Sequence, residues 1–447
     1  MRLACVTWAS RPTSPRAILP PADLLMDIAY VTDAEGQWEK LVSFCTNNPL
    51  VSLAGDRLTL AEGARFVFGG DAIDRGPHAR RIVACLTDAK LRYPERVVLL
   101  AGNRDLNKLR LARELGGHLP ERAPQSLRGA SPATLLRWIF AETMGAPDAF
   151  EHRRTELGSA GEPGHARPPG GASGRAVSDE EVLHSYLDDV APSGALTRYL
   201  ELCVLAYRHG ATLFVHGGLG EASLGEVPAH GSSEPVADLE QWVMRLNAWY
   251  AQQLVAYRAG ALEPSGEPAW QPLINYQQPL PGQRINPGSV VYGRLADEHN
   301  NPRLPPLPVV QRLCSAGIRR LVVGHMPSGD TPSVLRDPSR DFELILADNS
   351  YGRVSSASRL LLSDEAVLIE GDTVLDDARR CAVRFTLVAG ERSSLLGLQV
   401  GQHGPLIKAP LVADEYLTFK VLPRYRVQQR AEPAAVLRAQ ALSVPYP

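Results

Sequence analysis

The stretch RFVFGGDAIDRGP, residues 65–77, joins a short apolar run to a group of charged residues through two glycines. An apolar run of this length that ends at glycine predicts a β-strand buried on both faces. In α/β folds, ligands bind just beyond the carboxyl ends of such strands. Asp71, Asp74 and Arg75 follow the run directly and are therefore candidate functional residues.

The same pattern recurs along the chain. Six short apolar segments, each bounded by Gly, Asp or Asn, predict buried strands: 27–32, 65–70, 96–102, 212–218, 319–325 and 342–348. Helical patterns fall between them, at 37–45 after the first strand and at 78–91 after the second. This alternation of strands and helices predicts an α/β layered core.

Polar side chains follow the predicted strands one after another. They are Asp33 and Glu35 after the first, Asn103, Arg104 and Asp105 after the third, His216 after the fourth, His325 after the fifth, and Asp348 and Asn349 at the end of the sixth. A single Asp in such a place is usually a helix cap or turn residue. Successive strand ends that each offer an oxygen or nitrogen donor favour a metal site instead. The arrangement fits two ions that share one bridging carboxylate.

These motifs, in this order, resemble those of the calcineurin-like metallophosphoesterases. The motifs are Asp-x-Glu at 33–35, Gly-Asp-x-x-Asp-Arg-Gly at 70–76, Gly-Asn-Arg-Asp at 102–105, His-Gly-Gly at 216–218 and Gly-His at 324–325. GGDAIDRGP and VHGGL most resemble the phosphoprotein-phosphatase and diadenosine-tetraphosphatase branch. The resemblance spans residues 27–350 and implies an αββα sandwich: two mixed β-sheets packed face to face, flanked by helices, with helical insertions and a small C-terminal β extension.

The resemblance also implies a role for each matching residue. Asp33 and Glu35 would hold a first divalent ion, Asp71 would bridge, and Asn103, His216 and His325 would hold a second. Asp74 would orient the catalytic residue, Arg75 would bind phosphate, and Arg294, in the second insertion, is a further candidate for phosphate binding. Apart from the resemblance, Asp348 and Asn349 are expected to cap the last strand, with a position just behind the ions as a further role.

Two positions depart from the family pattern. Glu35 stands where the family has a metal-binding histidine, and this change from nitrogen to charged oxygen favours Mn or Mg, with Fe or Zn as alternatives. Arg104 stands where the family has the histidine that protonates the leaving oxygen. Arginine keeps its proton and cannot act as that acid, although it can bind phosphate through paired hydrogen bonds.

Three interpretations of Arg104 remain open. Arg104 could stabilise charge on a substrate whose leaving group needs little protonation. Another group could supply the proton, with Asp105, His78 and His299 as candidates. The site could also have lost catalysis and serve only to bind. The block NRDLNKLR reads as the first turn of a helix, in which Lys108 and Arg110 are expected to be solvated, with Lys108 facing the phosphate as the alternative.

Three parts are expected along the chain. Residues 1–26 form an N-terminal extension, residues 27–364 form the core with insertions at about 106–211 and 219–311, and residues 365–447 form a β-rich extension. The first insertion reads as mostly helical, including residues 194–208. It also contains a Gly/Pro-rich segment at 158–176 that predicts disorder.

Composition excludes several other classes of protein. The 447 residues carry a formal net charge of −2, so no basic field attracts nucleic acid. No apolar run reaches the roughly 18–20 residues of a membrane-spanning helix. The six cysteines are scattered without a C-x-x-C pair and favour a reducing compartment. A cytoplasmic location is expected, with a weak organellar presequence in the first 22 residues as the alternative.

The sequence thus predicts an enzyme that hydrolyses a phosphate ester or phosphoanhydride with a metal-bridging hydroxide as nucleophile. The long insertion favours a phosphorylated small molecule or nucleotide over a phosphoprotein as substrate. A Ser/Thr-type protein phosphatase remains one alternative, and a catalytically impaired protein that keeps its metals to bind phosphate or act as a scaffold remains another. The oligomeric state is left open.

Overall fold

The computed structural model describes residues 26–119, 123–159, 175–228, 235–350, 352–391, 394–401, 403–423, 426–442 and 446–447. Residues 1–25 of the predicted N-terminal extension and most of the Gly/Pro-rich segment 158–176 lie outside these ranges.

The strands among the described residues are, in chain order, β1 (Ile28–Val31), β2 (Val51–Ala54), β3 (Arg57–Leu60), β4 (Arg65–Phe68), β5 (Val97–Leu100), β6 (Cys203–Val204), β7 (Ala206–His209), β8 (Thr212–Val215), β9 (Arg320–Pro327), β10 (Ser333–Asp337), β11 (Phe342–Asp348), β12 (Arg359–Leu362), β13 (Ala366–Val374), β14 (Arg380–Val388), β15 (Gln399–Val400), β16 (Leu406–Pro410), β17 (Glu415–Leu422), β18 (Arg426–Pro433) and β19 (Ala441–Leu442).

The α-helices of the same ranges are α1 (Trp38–Cys45), α2 (Ala79–Arg92), α3 (Asn103–Leu106), α4 (Leu111–Leu115), α5 (Pro132–Trp138), α6 (Ala149–Ser159), α7 (Asp179–Val190), α8 (Ala195–Glu201), α9 (Leu239–Ala259), α10 (Gln271–Tyr276), α11 (Leu307–Ser315) and α12 (Ala434–Arg438). Short 3-10 turns at Asn107–Arg110 and Gln125–Leu127 and a π-helical turn at Ile139–Thr143 complete them. None of the helices in the described ranges is long and apolar enough to cross a membrane.

Two mixed sheets form the body of the molecule. The first has the strand order β14-β13-β12-β1-β4-β5-β6, in which β1, β4, β5 and β6 are parallel and β12 to β14 antiparallel. The second has the order β10-β11-β9-β8-β7, with a parallel centre and antiparallel edges. All six strands predicted from apolar runs are present, as β1, β4, β5, β8, β9 and β11.

The two sheets pack face to face because alternate residues of each strand point in opposite directions. Ile28 and Tyr30 of β1 join an apolar cluster with residues of the second sheet, and the Tyr30 and Phe214 rings stack at 5.7 Å. Ala29 and Val31 belong instead to the cluster that includes the helices. In that cluster α1 and α2 cover the first sheet, and α9 and α11 cover the second. The predicted four-layer αββα fold class is confirmed.

The C-terminal part of the chain contributes to two sheets. β13 and β14 extend the first sheet, so the expected boundary between residues 364 and 365 falls between two strands that pair with each other. A third, antiparallel sheet follows with the order β18-β17-β16-β15-β19. The third sheet therefore begins at Gln399, whereas β13 and β14 belong to the first sheet.

The first insertion differs from expectation in one segment. Residues 194–208, predicted as helix, fold as α8 followed by β6 and β7. The reason is tertiary pairing: β6 pairs with β5, and β7 pairs with β8, which overrides the local helical spacing of leucines and tyrosines. The helices before α8 enclose a small apolar core of their own, which includes Leu136, Phe140 and Val182.

Candidate metal centre

The carboxyl ends of the central parallel strands meet at one edge of the sandwich, and the chain turns sharply there. Five non-glycine residues at these turns have positive φ: Asp33 (52°), Glu35 (49°), Asp71 (56°), Asp74 (112°) and His325 (60°). This conformation is uncommon for residues other than glycine, costs about 1–3 kcal/mol each, and is concentrated at functional sites. The strain is sustained because the buried sheet below fixes each strand end.

Two glycines of the sequence motifs allow these ends to approach each other. A Cβ at position 102 would overlap the backbone and carboxylate of Asp71, and one at position 324 would overlap Thr32 and Asp33. Glycine therefore precedes Asn103 and His325 because no larger residue fits between the strand ends.

The candidate ligands form two groups that share one carboxylate. Asp33, Glu35 and Asp71 offer ligand atoms that all lie within 4.8 Å of one another, and so do Asp71, His216 and His325. All five residues are buried. The structure thus brings together residues that are nearly 300 positions apart, with Asp71 between the two groups. Asn103 joins the second group through its Oδ1, which lies 3.3 Å from His216 Nε2.

His216 is oriented by a backbone carbonyl. Its Nδ1 lies 2.7 Å from the carbonyl oxygen of Gly69, an acceptor, so Nδ1 carries the proton and Nε2 points at Asp71 and Asn103. Burial disfavours the charged ring, but the adjacent Asp71 carboxylate outweighs it and raises the pKa of His216 to about 10. The charged ring carries its second proton on Nε2, and a bound cation would take the place of that second proton.

His325 lies on the other side of the same group. Its Nε2 is buried and has no hydrogen-bond partner among the described residues. Burial, followed by the nearby charges of Arg294 and His216, lowers the pKa of His325 well below its usual value. A neutral imidazole with an unused, buried nitrogen is a good metal ligand.

The carboxylates of the first group differ in their hydrogen bonds and in the direction of their pKa shifts. Asp33 Oδ2 accepts hydrogen bonds from Thr32 Oγ1 at 2.6 Å and from the His325 backbone N–H at 3.1 Å. Burial and the neighbouring Asp348 raise the pKa of Asp33 well above its usual range. Burial disfavours the charged form of Asp71, but His216 and Arg104 outweigh this and lower the pKa of Asp71 below its usual range.

Glu35 and Arg104, the two departures from the family pattern, are bonded to each other. Arg104 Nε lies 2.6 Å from Glu35 Oε1, whereas the other carboxylate oxygen of Glu35 is buried without a partner in the described part of the chain. Burial raises the pKa of Glu35, and Arg104 opposes that shift. Arg75 Nε lies 3.6 Å from the same Oε1.

Asp74 faces a residue that the sequence did not single out as its partner. Lys108 Nζ lies 2.8 Å from Asp74 Oδ2, and Arg104 NH1 lies 3.7 Å from the same oxygen. Lys108 is fully buried and also donates to the Arg104 carbonyl at 3.1 Å. The expectation that Lys108 is solvated or faces the phosphate is wrong. Its spacing, four residues after Arg104 in a helical segment, is the signal that places it beneath that arginine.

The candidate proton donors lie outside the cavity above the ligand groups in the described part of the chain. Asp105 is fully buried, and its two oxygens accept from the backbone N–H groups of Ala72 and Gly102 at 2.9 and 3.3 Å. Burial, together with Asp71, raises the pKa of Asp105 to about 7. Neither Asp105, His78 nor His299 is among the described residues that line the cavity above the ligands.

That cavity has a volume of about 1400 Å³ and opens over both ligand groups. Its basic residues next to the ligands are Arg75, Arg104 and Arg294, and Asp348 also lines it. Arg110, which was expected to be solvated, is buried against Glu114 and likewise lines the cavity. Further wall residues come from the insertions, at 141–145 and 267–283, and from Val421 and Val427 of the third sheet.

Divalent ions fit these residues. The two donor groups converge, their backbone is fixed, and two buried donor atoms, Glu35 Oε2 and His325 Nε2, have no protein partner among the described residues. Buried polar atoms without partners are costly and rare unless a ligand uses them.

Comparisons with known proteins add only distant similarities. No family model matches this chain. No curated protein matches it either. One similar solved structure is a cold-active protein-tyrosine phosphatase of a psychrophilic Shewanella species, with 16% identity and a TM-score of 0.41 over 82% of this chain and 83% of that chain. Another is a Saccharomyces cerevisiae protein serine/threonine phosphatase described as similar to human phosphatase PP5, with 12% identity and a TM-score of 0.34 over 86% of this chain and 82% of that chain. A third is a metallophosphoesterase from Sphaerobacter thermophilus, with 12% identity and a TM-score of 0.27 over 81% of this chain and 88% of that chain. At identities this low, the activities in those descriptions belong to those proteins.

Proposed function

We propose that this protein is a metal-dependent phosphoesterase that hydrolyses a small phosphorylated molecule. One observation carries the proposal: two ligand groups that share Asp71 lie at the base of a cavity, and Arg75, Arg104 and Arg294 line that cavity next to the ligands. Carboxylates, imidazoles and an amide suit divalent Mn, Mg, Fe or Zn, and the arginines suit a phosphoryl group.

Bound divalent ions would supply two kinds of chemistry: a lowered pKa of coordinated water, and neutralisation of charge on the phosphoryl oxygens. The protein's own contribution is to hold the ligands rigidly. His216 is fixed by Gly69, and Asp33 is fixed by Thr32 and the His325 backbone. Preorganised donors need no rearrangement when the transition state forms.

The fixed charge of Arg104 favours a particular kind of substrate. It is held by Glu35, Asp71 and Asp74 and by the Met144 carbonyl, which accepts from NH1 at 3.3 Å. These carboxylates outweigh the effect of burial and raise the pKa of Arg104. A permanent cation stabilises negative charge but donates no proton to a leaving oxygen. We therefore favour a substrate with a good leaving group, such as a phosphoanhydride or an aryl phosphate.

The insertions support a small substrate. Arg113 of the first insertion donates to Glu267 of the second at 2.7 Å and to Gln271 at 3.2 Å. All three residues line the cavity, so this contact joins the two insertions at its wall. A bridge of this kind restricts the approach of a folded phosphoprotein more than that of a nucleotide or other small molecule.

Hydrolysis by metal-stripped protein refilled with Mn, Mg or Zn tests the proposal. The substrates are an aryl phosphate, a nucleoside polyphosphate and a phosphopeptide. We expect turnover that requires metal and is greatest with the anhydride or aryl ester. Asp71→Asn should abolish it, by at least the 10²-fold expected for loss of a shared ligand's charge.

Asp56→Asn is the matched control, because Asp56 is exposed and pairs with Arg81 away from the ligand groups. It should retain full activity. Preference for the phosphopeptide would favour the protein phosphatase alternative. Metal binding without turnover of any substrate would favour a phosphate-binding protein.

A further inference from the structure

We infer that the two ligand groups hold metal unequally, because Arg104 already supplies positive charge to the first group. On this inference, the protein retains one ion at Asp71, His216 and His325 and takes a second at Asp33, Glu35 and Asp71 only weakly. The inference rests on the proposed function only in taking these residues as metal ligands.

The two groups differ in donor type. The second offers two imidazoles, the Asp71 carboxylate and the Asn103 amide oxygen. Imidazole nitrogens bind first-row transition metals strongly. The first group offers carboxylate oxygens alone, which suit hard ions such as Mg and Mn that exchange readily.

The two groups also differ in how much of their negative carboxylate charge is already neutralised by a cation of the protein. Arg104 Nε lies 2.6 Å from Glu35 Oε1 and 3.5 Å from Asp71 Oδ2, so a guanidinium contacts two of the three carboxylates in the first group. Arg104 NH1 also lies 3.7 Å from Asp74. A divalent ion that binds Glu35 and Asp71 enters close to this fixed positive charge and is repelled by it.

The arginine is built into this position. Its side chain is only 12% exposed, and Lys108 holds both its carbonyl oxygen and its partner Asp74 from below. Its backbone N–H donates to Asp71 Oδ1 at 2.9 Å. Arg104 is therefore a resident cation of the first group, and its charge sets the affinity of that group for metal.

Titration of metal-stripped protein with Mn²⁺ tests this inference without reference to activity. Free Mn²⁺ and the spectrum of bound Mn²⁺ are both read by electron paramagnetic resonance. We expect one equivalent that binds at least tenfold more tightly than the second. The spectrum should be that of an isolated ion at one equivalent, and that of a coupled pair only at high Mn²⁺.

Two substitutions of Arg104 separate charge from shape. Arg104→Gln removes the charge but keeps a donor for Glu35, and it should tighten the second equivalent at least tenfold. Arg104→Lys keeps the charge and should leave the second equivalent weak. His325→Ala should remove the tight equivalent, whereas Glu35→Gln should leave it in place. Circular dichroism checks that each variant is folded.

Two results would overturn the inference: two equally tight equivalents in the wild-type protein, or a second equivalent that Arg104→Gln leaves unchanged. Loss of the tight equivalent in Glu35→Gln but not in His325→Ala would also overturn it, because the order of the groups would then be reversed. Failure of the proposed function is distinguishable, since a protein that hydrolyses nothing would still give the stepwise titration.

Discussion

Lys108 illustrates how a single buried charge supports the rest of the centre. It makes hydrogen bonds to Asp74, to Asn107 Oδ1 and to the carbonyl oxygen of Arg104, and its Nζ lies 5.6 Å from the centre of the Phe140 ring. Burial lowers the pKa of Lys108, and Asp74 partly offsets the shift. Asp74 is equally buried and is the carboxylate that pairs with Lys108, so the lysine's charge is tolerated because Asp74 is present.

Substitution Lys108→Met should therefore destabilise the protein by about 3–5 kcal/mol, the usual effect of leaving one partner of a buried ion pair alone. Adding Asp74→Asn should recover much of that loss, because the carboxylate that has lost its nearest cation is then removed. Urea unfolding of the metal-stripped single and double variants measures both effects. A single variant within about 0.5 kcal/mol of wild type, as for surface substitutions, would contradict this account of Lys108.

The sequence motifs predicted which residues meet at the centre but not how they bond. Asp33, Asp71, His216 and His325 were predicted from strand ends, because β1 and β4 of the first sheet and β8 and β9 of the second end at the same edge of the sandwich. The pairing of Glu35 with Arg104 depends instead on rotamers at two strand ends that are far apart in sequence. Local patterns carry no information on such a pairing.

At the scale of elements, the bridge between the insertions gives a kinetic prediction. Arg113→Ala should raise KM for the preferred small substrate about two- to fivefold with little change in kcat, since a partly exposed ion pair contributes roughly 0.2–1 kcal/mol. The same substitution should increase the relative rate on a phosphopeptide, because the cavity becomes easier to enter. Steady-state kinetics on both substrates measures these effects.

Arg81→Ala is a suitable control for this prediction. Arg81 forms a comparably exposed pair with Asp56, and neither residue lines the cavity in the described part of the chain. An equal effect of Arg81→Ala and Arg113→Ala on the ratio of the two substrates would contradict a specific role for the bridge.

Elements were predictable where one local signal dominated. The six strands are continuous apolar runs, and α1 and α2 begin and end within one residue of their predicted helical segments, 37–45 and 78–91. Residues 203–208 were predicted incorrectly because their apolar spacing suits a helix, whereas β5 and β8 offer them open strand edges. Pairing with a distant strand decides such segments, and sequence spacing does not report it.

At the scale of the whole molecule, the third sheet is fastened to the body through buried polar groups. Lys408 of β16 donates to the Ser328 carbonyl and lies 4.5 Å from the Phe419 ring centre. Asp330 accepts from Gln429 Nε2 of β18 at 2.6 Å and from Val374 N of β13 at 2.8 Å. These contacts join the loop that follows β9 to the first sheet, through β13, and to the third sheet, through β16 and β18.

The burial of Lys408 predicts that the free energy of unfolding depends on pH. Burial, partly offset by Asp330, lowers the pKa of Lys408 to about 7, whereas an unfolded lysine titrates near 10.4. Between these values the unfolded chain binds more protons, so stability rises with pH, by at most about 1.4 kcal/mol per unit. Below pH 7 both states carry the charge, and folding bears the full cost of burying it.

Lys408→Met lacks this titration. Its stability relative to wild type should be highest near pH 7 and should fall progressively by pH 9, as measured by urea unfolding of both proteins at each pH. The difference between the two proteins cancels the titration of other groups. A difference that does not change with pH would contradict a buried Lys408.

The order of strands in the first sheet also determines when the centre can exist during synthesis. β1 lies between β4 and β12, and the His325 backbone N–H bonds to Asp33 across 292 positions of the chain. A nascent polypeptide therefore exposes its early carboxylates long before their partners emerge from the ribosome. Closing so long a loop is slow and entropically unfavourable, and the unpaired edge of β1 is prone to aggregate until β12 covers it. Chaperone dependence in the cell would follow from this topology.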